Sequence, residues 1–173
     1  MQKRAVIIPQ LVSGFEEGRR KQMVSVIVPL YRGKKYVGQI LEQIERNHAY
    51  ACGMEMQLVL YNDCPDETIR IDYAEYNFAI KVINAAENAG IHGARVNALS
   101  HAAGEYILFL DQDDVIRDNY IESQCKNIGN ADASVCRLIN GKRLHYTDSF
   151  RFEEVITREF MLNHWCPIIS PGQ

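Results

Sequence analysis

The stretch that most constrains this chain is Tyr106–Leu110, an apolar and aromatic run without polar alternation that passes directly into Asp111, Gln112, Asp113 and Asp114. An unbroken β-prone run of this length predicts a central parallel strand covered on both faces. In open α/β sheets, ligands bind just beyond the carboxyl ends of such strands. Carboxylates clustered at that rim repel one another unless a cation neutralises them. The run therefore predicts an α/β fold with a divalent-metal and phosphate site at the strand end, with Asp111, Asp113 and Asp114 as candidate ligands.

The chain on either side alternates strand and helix. Val24–Tyr31 reads as a buried first strand whose end is marked by Pro29. After a turn at residues 32–35, Val37, Ile40, Leu41 and Ile44 keep helical spacing to about residue 46. Met56–Tyr61 forms a second strand, stopped by the turn residues Asn62–Asp66. A weaker helix is expected over Glu67–Tyr76, and a third strand over Ala79–Ile83. Ile91, Ala94, Ala98, Leu99 and Ala102 define one face of a helix, with Asn88 as its N-cap and Gly104 as its breaker. Past the acidic rim, Asp118 is expected to cap a helix carrying Ile121, Cys125 and Ile128 and ended by Gly129. Ala133–Ile139 reads as another strand and Asn140-Gly141 as a hairpin turn. Phe152–Ile156 fits strand or helix, and Thr157 suits the cap of a short helix through Asn163. Residues 1–23 read as an N-terminal extension, and residues 24–173 as one domain.

Composition sets outer bounds. A chain of 173 residues is long enough for one domain with a real core. The net charge of −3, with no Lys/Arg run, gives no reason to expect a nucleic-acid partner. Apolar runs are strand-length, short of the roughly 20 residues of a spanning helix. Five cysteines, Cys52, Cys64, Cys125, Cys136 and Cys166, are odd in number and form no CxxC pair. They read as reduced thiols packed in a core, which places the chain in the cytoplasm.

Strands joined by helical crossovers predict a mostly parallel, doubly wound, Rossmann-like sheet with helices on both faces. Polar residues then collect at three strand ends: Tyr31 and Arg32, Asn62 and Asp63, and Asp111 to Asp114. All three ends share one edge and meet in one crevice. Four ordered segments, Val24–Tyr31, Val59–Asp63, Asn88–Ala98 and Gly104–Asp114, resemble the family 2 glycosyltransferases with the A-type, nucleotide-diphospho-sugar transferase fold. The resemblance covers roughly residues 24 to 140, and more faintly the remainder.

That resemblance implies transfer of a sugar from a nucleotide-diphosphate donor, with inversion at the anomeric carbon, to a glycan or lipid-linked acceptor. It implies a role in bacterial cell-surface polysaccharide synthesis, at the inner face of the membrane. Asp63 is suited to accept the imide N–H of uracil, which makes a UDP-sugar the expected donor. Tyr31, with the backbone beside Pro29, would line the base pocket, and Arg95 would bring a permanent positive charge to the nucleotide. Asp111 and Asp113 resemble the family's DxD pair, which approaches the ribose and binds Mg²⁺ or Mn²⁺. The adjacent Asp114 leaves the register of that pair open.

Plainer roles compete with each of these. Asp63 fits an Asx-turn, Arg95 a solvated helix charge, Tyr31 a strand-end aromatic, His92 a surface position, and the aspartates a cap for the next helix. The chain also departs from the family pattern. Arg32 stands where many members have Asn, and Asp63-Cys64-Pro65 where many have Asp-Gly-Ser. The family's catalytic base belongs to a later acidic motif, so it is expected beyond Gln173, and the chain reads as a donor-binding half lacking the usual C-terminal part. Two alternatives follow: a nucleotide-binding module without transfer activity, and, more distantly, a phosphatase of the haloacid dehalogenase type, which also uses DxD after an apolar strand. An incompletely covered sheet would favour self-association into a homo-oligomer.

Overall fold

A computed structural model describes residues 6–9, 22–51, 53–131, 134–135, 138–140 and 143–145. Its strands are β1 (Val6–Pro9), β2 (Met23–Leu30), β3 (Glu55–Asn62), β4 (Ala79–Asn84), β5 (Tyr106–Phe109), β6 (Ser134–Val135), β7 (Leu138–Asn140) and β8 (Arg143–His145). Its α-helices are α1 (Val37–Tyr50), α2 (Gly90–Leu99) and α3 (Tyr120–Ile128). The main sheet has the order β4-β3-β2-β5-β1-β6. Strands β2 to β5 are mutually parallel, as the crossovers require, whereas β1 pairs antiparallel with both β5 and β6.

Strand periodicity divides the core. Val24, Val26, Val28 and Leu30 of β2 join Leu58, Leu60, Leu108 and Leu110 on one face, beneath Ile40, Leu41 and Ile44 of α1 and Ile121, Cys125 and Ile128 of α3. Ile27, Val59, Tyr61 and Ile107 face the other way, onto Ala94 and Ala98 of α2. The sheet is therefore doubly covered, and its middle strands can afford uninterrupted apolar sequence. The two alanines let α2 lie close on the sheet. Ile91 and Leu99, expected on that buried face, are instead exposed, because a ten-residue helix over a narrow contact buries only the stripe at 94 and 98.

Gly104 sits where α2 hands the chain to β5. A Cβ there would lie 2.5 Å from the Ser25 backbone nitrogen, so only glycine fits against β2. The Ser25 hydroxyl accepts from the Gly104 N–H at 2.8 Å and donates to Gln57 Oε1 at 2.6 Å.

Several local expectations need correction. Residues 6–9, read as part of an extension, form a strand inside the sheet, where their apolar sequence satisfies the free side of β5. Pro29 marks the end of β2 as expected, with the strand closing one residue later at Leu30. Ile27 accepts from Leu110 N on the β5 side, so Pro29, two residues on, faces that side past the end of β5, where no N–H is needed. Glu67–Tyr76 is not a helix beyond one 3₁₀ turn at Tyr73–Glu75. Asn62 and Asn84 take up its backbone instead: Asn62 Nδ2 donates to Glu67 O at 2.6 Å, and Asn84 exchanges bonds with Ile69 N and O. Neither expected cap operates as such. Ala89 and Asn119 hold the N-cap positions, while Asn88 accepts from Gly90 N and Asp118 accepts from Arg46 Nε. Gly129 does end α3, with φ 51°. Ala133–Ile139 contributes to two strands in different sheets, β6 and β7, and β7 pairs antiparallel with β8, Asn140 opposite Arg143; Gly141 of the expected turn lies outside the described residues. The expectations for residues 152–163, and for Cys52, Cys136 and Cys166, lie outside the described residues. Cys64 and Cys125 are buried free thiols.

Candidate functional site

The carboxyl ends of β2, β3 and β5 lie side by side, as the parallel register dictates. Leu30 of β2 pairs with Asn62 of β3, and the next residue, Asp63, donates its N–H to Leu30 O at 2.8 Å. Asp63 is almost fully buried, and its Oδ1 accepts from the Ala89 N–H at 2.8 Å, which ties β3 to the entry of α2. This carboxylate bridges two segments 26 residues apart, more than the local Asx-turn its sequence permits. Pro29 is buried one strand over, opposite Tyr61. Tyr31, just beyond, is 48% exposed.

The acidic rim is not three equivalent carboxylates. Asp111 is buried, and Oδ1 accepts from Arg95 Nη2 of α2 at 2.5 Å. Arg95 is thus neither a free helix charge nor remote from the rim: it neutralises the first aspartate, a pairing that burial demands. Asp113 is exposed. Asp114 turns inward, its N–H donating to Asp111 O and its carbonyl accepting from Gln43 Nε2 at 3.2 Å. Among the described residues, no three His, Cys, Asp or Glu side chains group as a metal centre, so the expected three-carboxylate ligand set is not assembled. The donor set still fits a hard cation: Mg²⁺ is commonly held by one or two carboxylates with substrate phosphates completing its shell.

Amides that the sequence reading passed over hold this rim together. Gln112, between the two aspartates, accepts from Tyr31 N at 3.0 Å and donates to Tyr31 O at 3.3 Å. Gln43 and Asn47, both buried on α1, brace the chain beyond it: Gln43 Oε1 accepts from Ile116 N, and Asn47 bonds Arg117 O and Ile121 N. Two amides at i and i+4 within the apolar stripe of Ile40, Leu41 and Ile44 were the available signal. His92 is exposed, as expected.

Comparison with known proteins agrees with this architecture. Residues 25–171 match the family described as Glycosyl transferase family 2, and the chain belongs to that family. The match sets aside the phosphatase alternative. The chain is 26% identical over 131 residues to the glycosyltransferase GlyG of Streptococcus pneumoniae, covering 74% of this chain and 41% of GlyG. It is 36% identical over 95 residues to the poly(ribitol-phosphate) beta-N-acetylglucosaminyltransferase TarS of Staphylococcus aureus, covering 53% of this chain and 16% of TarS. A solved fragment of S. aureus TarS in complex with UDP-GlcNAc aligns with a TM-score of 0.47 at 26% identity, over 62% of this chain and 31% of the fragment. The chain spans less than half the length of each. No helix among the described residues is long and apolar enough to cross a membrane.

Proposed function

We propose that this chain binds the donor in an inverting glycosyltransferase that moves a sugar from UDP to a hydroxyl acceptor. The observation that carries this reading is the meeting of Tyr31, Asp63 and the Arg95–Asp111 pair at adjoining strand ends, with the exposed Asp113 beside them. Asp63, held by Ala89 N, offers a fixed carboxylate to the imide N–H of uracil, a donor that cytosine lacks. Tyr31 supplies an exposed ring for the base, beside the wall that includes Pro29. Asp113, with Asp111 behind it, would hold Mg²⁺ or Mn²⁺. Once bound, that ion neutralises the negative charge that develops on the departing diphosphate. Arg95 holds the Asp111 carboxylate in position through their ion pair, and its own charge adds to the positive potential beside the phosphates. Asp114, turned into the protein, braces the turn and is the least suited of the three to hold the ion.

The kinship with TarS, named for adding N-acetylglucosamine to poly(ribitol phosphate), supports a cell-surface glycopolymer as the acceptor class. Calorimetry with UDP and Mn²⁺, then with chelator, tests the donor half. Saturable binding that chelation abolishes is expected, and no binding to any nucleoside diphosphate would refute the reading. Release of UDP from a UDP-sugar on adding acceptor separates a transferase from a module that only binds nucleotide.

A further inference from the structure

One contact joins parts of the chain 81 residues apart: the Gln112 amide pairs with both the N–H and the carbonyl of Tyr31, as a neighbouring strand would. The turn it grips is strained. Arg32, with φ 48°, is the one non-glycine residue of positive φ among those described, a conformation that costs a side chain about 1–2 kcal/mol. Its guanidinium sits 5.5 Å from the Tyr31 ring centroid. Gly33 then passes so close that a Cβ would lie 2.5 Å from Gln112 Oε1. Pairing, strained turn and close glycine converge on one side chain, and that side chain lies between Asp111 and Asp113.

We propose that Gln112 is a positioning residue that fixes the distance between the base end of the pocket at Tyr31 and its phosphate end at Asp111 and Asp113. The proposal rests on the donor-binding reading above. Without the latch, Tyr31 and the carboxylates each remain just past the ends of their own strands but are no longer held at one separation. A ligand that spans both ends then loses the advantage of a prearranged site, whereas a ligand of one end does not.

Two substitutions on the 173-residue chain test this. Gln112→Met keeps the bulk and removes both hydrogen bonds. Gly33→Ala keeps Gln112 and pushes its amide away. Affinities are measured for UDP with Mn²⁺ and for inorganic diphosphate with Mn²⁺. Both variants should weaken UDP by about tenfold, the worth of one or two hydrogen bonds, while diphosphate changes less than about twofold. The Tyr31 amide, slow to exchange with deuterium in the parent, should exchange at a loop-like rate in both. UDP affinity unchanged in the variants, equal loss for UDP and diphosphate, or fast Tyr31 exchange in the parent would each overturn the proposal. Absence of UDP binding in the parent would overturn the donor-binding reading itself, whereas slow Tyr31 exchange there would show that the latch exists.

Discussion

Asp111 and Asp113 lie two residues apart in opposite surroundings, and their substitutions should separate accordingly. Asp111 is buried against Arg95, so Asp111→Ala leaves a half-buried guanidinium without its partner. A loss of about 2 kcal/mol is expected, the scale of a broken charge-assisted bond, seen as a fall in Tm of a few degrees. Asp113 is exposed. Asp113→Ala should leave Tm within a degree and abolish metal-dependent UDP binding. A variant with unchanged UDP affinity would refute the metal role given to Asp113, and a thermal scan beside calorimetry checks both residues at once.

Among the elements, α1 decides how the rim is braced. Replacing Gln43 by leucine keeps its volume but strands the Ile116 N–H and the Asp114 carbonyl. A buried donor without a partner costs about 1–3 kcal/mol, so Gln43→Leu should destabilise, although it makes the α1 stripe more apolar. Urea denaturation reads that sign directly. The parallel strands and their adjoining ends were legible in the sequence because buried parallel strands need unbroken apolar runs, and Tyr31, Asp63 and Asp111 follow those runs directly. Residues 67–76 were not legible, since their backbone is claimed by Asn62 and Asn84, partners no local pattern reveals. Nor was the Gln112–Tyr31 pairing, which spans two segments that periodicity treats as independent. On α3, burial, with help from Glu105, pushes the Cys125 thiol up to about 12 from an ordinary 9.0. The folded value lies above the unfolded one, so the contribution to stability is complete below about pH 9 and declines as pH rises toward 12. Tyr106, raised by burial, Glu105 and the neighbouring Cys125, acts in the same direction. Stability should fall by about 2 kcal/mol at most between pH 8 and pH 10.5, and Cys125→Ala should flatten part of that slope.

At the scale of the whole molecule, the position of β1 matters most. The strand that carries the acidic rim, β5, is interior to the sheet only because Val6–Pro9 covers its second side. The described strand β6 joins the sheet through β1 alone. Removing residues 1–9 would turn β5 into an edge with unpaired N–H and carbonyl groups, flanked by apolar side chains, a template for pairing with another copy. The sheet order thus gives the self-association expected of an incompletely covered sheet a particular surface and a condition. The intact chain has its β5 edge covered, and the shortened chain does not. Deletion should cost about 2–4 kcal/mol, four paired residues at roughly one net hydrogen bond each. It should also shift the chain toward dimers or larger species as concentration rises, read by light scattering behind size-exclusion chromatography. The proposed nucleotide site lies at the strand ends, so UDP affinity of the remaining monomer should stay within about threefold, a change of under 1 kcal/mol. A shortened chain that stays monomeric with an unchanged Tm would show that β1 does not cover β5 in solution.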